Sequence, residues 1–213
     1  MLLILPSTPK SSKIFSRNSE FFFNSTSFIF FLFFKSEFFS RKLMLGNLKP
    51  LSIYGKSKLA GENAIIESGC NYLVFRVATV FDLNKTNNFP AKIRELAQTR
   101  DELKIVNDQF TNPTNSYDIA LATKAIIKQI NNSSKFKNGI YHMVSKNPAS
   151  YYDIACEVLK SQKVKIIPVD SSLFPTKAKR PKNGILNCNK IKTDFGIEII
   201  SNYASLNHIK KTL

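Results

Sequence analysis

The stretch Tyr54-Gly-Lys-Ser-Lys58, which continues as Leu-Ala-Gly-Glu62, decides how the rest of this 213-residue chain is interpreted. It places a phenol and an ammonium at positions i and i+4, on the same face of a helix predicted over residues 52–68. Gly69 is the predicted residue that ends this helix. Residues 72–81 are mostly apolar and predict a buried, parallel strand. A helix, a turn and a buried strand form the repeating unit of a doubly wound α/β sheet.

The rest of the chain continues this alternation of helices and strands. We expect the strand that contains His142 to return to the main sheet. The strand at 103–107, the later loops and the C-terminal helices are expected to form a smaller lobe over a cleft. The predicted helices cover residues 89–98, 117–130, 151–159, 189–195 and 205–213, and the further strands cover 103–106, 139–144 and 164–169.

The Tyr54 and Lys58 side chains together can move a proton. A free phenol has a pKa near ~10 and is a poor acid–base group at neutral pH. An ammonium within ~4–6 Å favours the phenolate, so such a pair can pass a proton to a carbonyl oxygen while a hydride reaches its carbon. The ammonium also has donors for ribose hydroxyls. The alternative is an exposed Tyr and Lys at a helix start, since Tyr-x-x-x-Lys is common by chance.

Residues 1–45 differ in composition from the rest of the chain. They contain most of the 18 Phe residues, and the apolar run over 28–34 stops at Lys35. This run is shorter than the ~20 residues that a membrane helix needs. Three interpretations stay open: a membrane anchor or signal, a divergent buried strand near 28–34, and a tract read in a shifted frame that was never selected to fold. We favour the third, and therefore expect an aberrant segment over 1–45 and an organised domain over 46–213.

The charge of the chain is strongly basic, with a formal net charge of +16. Lys is scattered along the chain, and the one dense run, residues 177–182, is typical of a solvated loop rather than a nucleic-acid patch. We therefore expect neither nucleic acid nor membrane as a partner. A positive field favours an anionic substrate such as a sugar nucleotide.

Cysteine and histidine usage indicates no metal or redox centre. Cys70, Cys156 and Cys188 lie far apart and form no Cys-x-x-Cys pattern, which favours reduced thiols in a cytoplasmic protein. The two histidines, His142 and His208, are too isolated in sequence for a metal site based on His. We therefore expect no metal.

Several blocks together resemble dTDP-4-dehydrorhamnose reductases, a family of the extended short-chain dehydrogenase type. The resemblance covers residues 47–213 and the C-terminal two-thirds of these enzymes. It implies an α/β fold, a partial Rossmann-type doubly wound parallel sheet with a smaller C-terminal substrate-binding lobe, with the N-terminal half of the sheet missing. The blocks are Pro50–Glu62, Phe75-Arg76, Asn87–Phe89, Arg100–Gln109 with Pro113-Thr114, Gly139–His142, and Ala178–Asn183 followed by Leu186.

The resemblance also implies an activity, which is the NADPH- or NADH-dependent reduction of dTDP-4-dehydro-L-rhamnose to dTDP-L-rhamnose. It assigns Tyr54 as proton donor to the C4 oxygen and Lys58 as the residue that holds the nicotinamide ribose, so both are catalytic and cofactor-binding. Substrate contacts fall to Thr79, Gln109 and Arg180. The Tyr54 helix is a common dimer face in this superfamily, which leaves a homodimer open.

The sequence departs from the family pattern in three places. It contains no Gly-x-Gly-x-x-Gly turn for the cofactor pyrophosphate and no Ser/Thr-Thr-Asp-Tyr-Val-Phe segment before Tyr54, and Thr79 stands where the family often has Trp. We expect the strand at Leu73–Phe75 to lack a neighbour on one side, and the 213 residues by themselves to turn over no dTDP-sugar. The alternatives are a non-catalytic binding subunit, similar to the regulatory β subunit of methionine adenosyltransferase, an inactive gene remnant, and a small membrane-associated protein.

Overall fold

The structure is a computed structural model that describes residues 2–5, 29–35, 52–82, 87–133, 136–175 and 180–200, with backbone alone for the first two ranges. Strands and helices alternate along the chain, as the sequence predicts. The strands are β1 (Leu2–Leu5), β2 (Ile29–Lys35), β3 (Tyr72–Val77), β4 (Val80–Phe81), β5 (Glu102–Val106), β6 (Phe110–Thr111), β7 (Thr114–Asn115), β8 (Gly139–His142), β9 (Ala149–Ser150) and β10 (Lys165–Val169). The helices are α1 (Ile53–Glu67), α2 (Phe89–Ala97), α3 (Ser116–Asn131), α4 (Tyr151–Leu159) and α5 (Asn189–Phe195), with a 3-10 turn at Ser171–Leu173.

The main sheet has the strand order β1-β2-β3-β8. Strands β2, β3 and β8 are parallel, and β1 joins the edge antiparallel to β2. The predictions of a parallel strand after the Tyr54 helix and of the His142 strand returning to the main sheet are therefore confirmed.

The expectation that β3 lacks a neighbour on one side is wrong. Strand β2 pairs with it in parallel register, from Phe30 opposite Tyr72 to Lys35 opposite Val77. The first half of the family's sheet is missing from the sequence, but a backbone ladder needs only an extended segment that offers its N–H and C=O groups, such as the strand near 28–34 left open above. That residues 1–45 as a whole are not a folded domain stays a prediction.

Helix α1 begins and ends where its capping residues predict. The Ser52 side chain accepts a hydrogen bond of 3.0 Å from the Gly55 amide, which satisfies one of the N–H groups at the helix start. After the C-cap Ser68, Gly69 has a φ of 67°, the left-handed conformation that a side chain disfavours and glycine accepts. The local sequence thus fixes the position of Tyr54 in the first turn.

Strand β3 is buried on both faces because helices cover both sides of the sheet. Leu73, Phe75 and Val77 alternate onto one face and join the core formed with α3, β8 and α5. Val74 points to the opposite face and packs against Ile65 of α1. This alternation explains the continuous apolar run of the strand, since a parallel strand between two layers exposes neither side.

A second core lies between α2, β5 and α4, and strand β10 pairs with β5 in parallel. This core forms a smaller lobe around β5, as the sequence predicts. The expectation that the helix at 189–195 belongs to the same lobe is wrong, because Ile191 and Phe195 of α5 pack in the first core with α3 and β8. The predicted helix over 205–213 lies outside the described residues. Phe110 and Thr111 form the short strand β6 against β9. Within the described ranges, no helix has the length and apolar character that crossing a membrane requires.

Candidate functional site

The Tyr54 and Lys58 side chains lie on one face of α1, as their spacing predicts. The Lys58 Nζ atom is 5.1 Å from the centroid of the Tyr54 ring, a distance at which the ring face attracts the cation. Tyr54 is 44% exposed, so an external molecule can reach it. The Ser57 hydroxyl donates to the Tyr54 carbonyl at 2.8 Å, which tightens the same first turn.

The topology brings the first turn of α1 to the carboxyl edge of the sheet. Helix α1 packs beside β3 and is joined to it by the short turn at 68–71, so the chain reverses and the helix start lies near the end of β3. Thr79 lies two residues after Val77, the last residue of β3. In open α/β sheets, ligands bind at the carboxyl ends of the strands, so this edge is the expected place for a site.

An open cleft of about 320 Å³, including the part open to solvent, lies at the junction of the two cores. It brings together Thr79, Gln109 and Arg180, the three residues that the resemblance assigns to the substrate. Tyr54 and Lys58 are not among the residues that line it. The full lining is Thr79, Gln109, Phe110, Thr111, Tyr151, Arg180, Pro181 and Gly184.

Backbone hydrogen bonds join the segment that carries Gln109 to the loop that carries Arg180. The Phe110 amide donates to the Lys182 carbonyl at 2.8 Å, and the Gly184 amide donates to the Phe110 carbonyl at 2.8 Å. The approach is close at Gly184, where an added Cβ would lie 3.2 Å from the Phe110 oxygen. The two lining segments therefore form one wall of the cleft.

An ion pair strengthens this wall. The Lys182 ammonium lies 2.8 Å from the Asp108 carboxylate, which also accepts hydrogen bonds from the amide and hydroxyl of Ser171 at 3.0 and 2.9 Å. Lys182, followed by the Ser171 bonds, lowers the pKa of Asp108 to about 2 against the opposing effect of burial. Asp108 therefore stabilises the wall of the cleft and is not one of the residues that line it.

Thr79 contributes a hydroxyl to the cleft. Its Oγ1 lies 2.9 Å from the Thr111 hydroxyl and 3.4 Å from the Tyr151 hydroxyl. The sequence analysis missed Phe110, Thr111, Tyr151 and Gly184 as lining residues. One signal for Tyr151 was present: it directly follows the N-cap Ser150, and a helix start beside a cleft exposes its first side chains.

Behind the site, a buried ion pair joins α1 to β3. Arg76 donates from Nε and Nη2 to the two carboxylate oxygens of Glu62, at 2.9 and 2.6 Å. His142, on the neighbouring strand β8, lies 2.9 Å from the Asn187 carbonyl through Nδ1. Burial and the charge of Arg76 lower the pKa of His142 to about 4, so its ring is neutral at pH 7. Its neutrality avoids a second buried cation beside Arg76.

The parallel sheet and the Tyr-x-x-x-Lys helix at its carboxyl edge define an α/β protein of the short-chain dehydrogenase class. A family model described as the RmlD substrate binding domain matches residues 17–213, and the chain belongs to this family. The match includes part of the Phe-rich segment.

Several curated relatives are dTDP-4-dehydrorhamnose reductases. The dTDP-4-dehydrorhamnose reductase of Escherichia coli (strain K12) is 35% identical over 156 residues, which are 70% of this chain and 52% of that protein. The enzyme of the same name from Sinorhizobium fredii is 34% identical over 157 residues, 70% of this chain and 53% of that protein. The chain thus spans about half the length of these curated relatives.

Solved structures agree with the fold. The dTDP-4-dehydrorhamnose reductase of Clostridium acetobutylicum superposes with a TM-score of 0.75 at 29% identity, over 84% of this chain and 64% of that one. The enzyme of the same name from Bacillus anthracis, solved in complex with NADP, gives a TM-score of 0.73 at 24% identity with the same coverage, and this likeness concerns the fold alone.

Proposed function

We propose that this chain provides the proton-donating pair and the sugar-nucleotide cleft of an NAD(P)H-dependent reductase. The reaction is the conversion of dTDP-4-dehydro-L-rhamnose to dTDP-L-rhamnose in the cytoplasm. Membership of the family supports the reaction class. The observation that carries the proposal is the convergence of Thr79, Gln109 and Arg180, from three distant segments, on one cleft at the sheet edge where the Tyr54 helix begins.

In this reaction Tyr54 donates its proton to the C4 oxygen of the sugar. Lys58 stabilises the phenolate that remains, because an adjacent cation favours the charged form. The bound nicotinamide supplies the hydride. Lys58 also has N–H donors that suit ribose hydroxyls, and both side chains lie at the helix surface, so these residues fit the nicotinamide-ribose end of the cofactor. Reduction of a carbonyl requires a hydride donor, and the family to which the chain belongs makes a nicotinamide cofactor the choice.

Different residues of the cleft bind different parts of the sugar nucleotide. Arg180 offers a guanidinium, which forms strong charge-assisted hydrogen bonds with phosphate oxygens, so it binds the diphosphate. Gln109 presents an amide that both donates and accepts, and Thr79 presents a hydroxyl for the sugar. The basic balance of the chain adds a long-range attraction for this anionic ligand.

Direct binding tests the cleft in the chain as it exists. Isothermal titration calorimetry is expected to detect binding of dTDP and dTDP-L-rhamnose to the 213-residue chain. Arg180→Ala is expected to lower the affinity for each ligand at least about tenfold, since one charge-assisted hydrogen bond contributes ~1.5–3 kcal/mol. Arg100→Ala is the matched control, because Arg100 is exposed and lies outside the cleft lining. Equal losses in the two variants would refute the assignment of Arg180.

A chimera tests the chemistry. Residues 52–200 of this chain replace the matching region of the Escherichia coli enzyme, and NADPH oxidation is measured with dTDP-4-dehydro-L-rhamnose. We expect turnover, and a loss of at least ~100-fold in the Tyr54→Phe chimera, the lower range of general acid catalysis. A folded chimera that binds dTDP-L-rhamnose without oxidising NADPH would contradict the reductase and favour the binding subunit. The same assay on the 213-residue chain tests the prediction that it is inactive by itself.

A further inference from the structure

One part of the cleft is lined by three hydroxyl groups. Thr79, Thr111 and Tyr151, here called the hydroxyl cluster, come from the end of β3, from β6 and from the start of α4. Thr79 and Thr111 are only 7% and 6% exposed, yet both line the cleft. Their oxygens are 2.9 Å apart, a normal hydrogen bond between hydroxyls.

The cluster keeps hydrogen-bonding capacity for a ligand. Each hydroxyl has one proton and two lone pairs, and the two contacts within the cluster use at most two of the three protons. The contact between Thr79 and Tyr151 is 3.4 Å long, beyond the usual range for hydroxyls, so it is weak. A ligand group that both donates and accepts would therefore complete the cluster better than an anion, which only accepts.

A different chemistry is available elsewhere in the same cleft. Arg180 supplies the cation that an anionic group requires, and Gln109 supplies an amide. The hydroxyl cluster has no charge and sits in a largely buried environment, where an ionised group would be costly to place. The lining of the cleft thus contains both a cationic side chain and a group of neutral hydroxyls.

We propose that the hydroxyl cluster determines substrate specificity by binding a free ring hydroxyl of the sugar, so that the cleft selects hydroxyl-bearing hexose nucleotides over the bare nucleotide. This inference rests on the proposed function, which places a sugar nucleotide in the cleft. Its physical basis is the cost of leaving buried polar groups without partners. A site built to bond a hydroxyl discriminates strongly against a ligand that lacks it.

The test compares two ligands in the full 213-residue chain by isothermal titration calorimetry. Thr79→Val removes one hydroxyl at nearly constant volume, and Tyr151→Phe removes another while keeping the ring against Phe89, whose centroid is 5.0 Å away. We expect each variant to lower the affinity for dTDP-L-rhamnose at least about tenfold. The affinity for dTDP is expected to change by no more than about twofold. Thr79→Ser, which keeps the hydroxyl, is expected to restore most of the affinity for the sugar nucleotide.

Thr99→Val is the control, because Thr99 is exposed at the end of α2 and outside the cleft. If Thr79→Val does not fold, the affinities of Tyr151→Phe for the two ligands test the specificity role by themselves. Unchanged affinity for dTDP-L-rhamnose, or equal losses for both ligands, would overturn the specificity role while leaving the proposed function intact. A wild-type chain that binds neither ligand would overturn both.

Discussion

Arg76 and Glu62 form a two-pronged ion pair between the sheet and the helix that carries Tyr54. The Nε and Nη2 atoms of Arg76 donate to separate oxygens of Glu62 at 2.9 and 2.6 Å, and Glu62 is fully buried. Glu62 lies about two helical turns after Tyr54 on α1. The pair therefore fixes how α1 is rotated and shifted on β3, and with it the position of the Tyr54 turn at the sheet edge.

Removing one partner of this pair is expected to destabilise the protein strongly. Glu62→Gln leaves the Arg76 charge buried without its counter-ion, which costs about 3–5 kcal/mol of unfolding free energy. Urea unfolding followed by circular dichroism measures the loss. Glu95→Gln is the control, because the Lys92–Glu95 pair is exposed and is expected to change stability by less than about 0.5 kcal/mol. Similar losses in both variants would contradict a special role for the buried pair.

His142 is expected to make stability fall as the solution becomes acidic. Burial, the charge of Arg76 and the charge of Lys190 lower its folded-state pKa to about 4, against the opposing bond to Asn187. In the unfolded chain a histidine has a pKa near ~6.5, so the unfolded state binds the proton first. The contribution of neutral His142 is complete above that pH and is lost progressively as the pH falls from ~6.5 to ~4, by about 2–3 kcal/mol.

Urea unfolding at pH 7.5 and pH 4.5 measures this loss in the wild type and in His142→Asn. The difference in stability between the two proteins is expected to narrow at the lower pH, and His208 is present in both. A difference that does not change with pH would show that His142 does not titrate in this way.

The Asp108–Lys182 pair is expected to lose its effect only at strongly acidic pH. The Lys182 ammonium lowers the folded-state pKa of Asp108 to about 2, while an unfolded aspartate titrates near ~3.9. The stabilisation is therefore present above pH ~4 and declines toward pH ~2. Asp108→Asn is expected to lose less than about 1 kcal/mol at pH 7, the range for partly exposed pairs. Unfolding curves at pH 7 and pH 2.5 check that this loss disappears in acid.

The N-cap of α4 is expected to affect both stability and the cleft. Ser150 accepts from the Asp153 amide at 3.0 Å, and Asp153 accepts from the Ser150 amide at 2.9 Å, a complete capping box. Ser150→Ala is expected to lose about 1 kcal/mol of stability and to weaken dTDP-L-rhamnose binding, because Tyr151 is the first helical residue. Ser150→Thr keeps the cap and serves as the control. If Ser150→Ala keeps the wild-type affinity for dTDP-L-rhamnose, the N-cap of α4 does not contribute to binding in the cleft.

Local signals predicted the elements that short-range contacts stabilise. The helices predicted from residues 52 and 151 and the helix end predicted at Gly69 agree with the structure, because caps are satisfied within a few residues of the chain. The apolar run at 72–77 predicted a buried parallel strand. A buried strand near 28–34 was left open but not favoured, and its pairing with β3 was not predicted, since that pairing bridges a long separation in sequence and depends on no local pattern.

The sequence by itself determined the helices, the buried strand and the i,i+4 placement of Tyr54 and Lys58, because each follows from the dihedral preferences and periodicity of a few adjacent residues. Only the tertiary structure decided that Thr79, Thr111 and Tyr151 line the same cleft as Arg180. Segments as distant in sequence as these meet only when strand order and core packing bring the carboxyl ends of the strands and the loops after them to one edge.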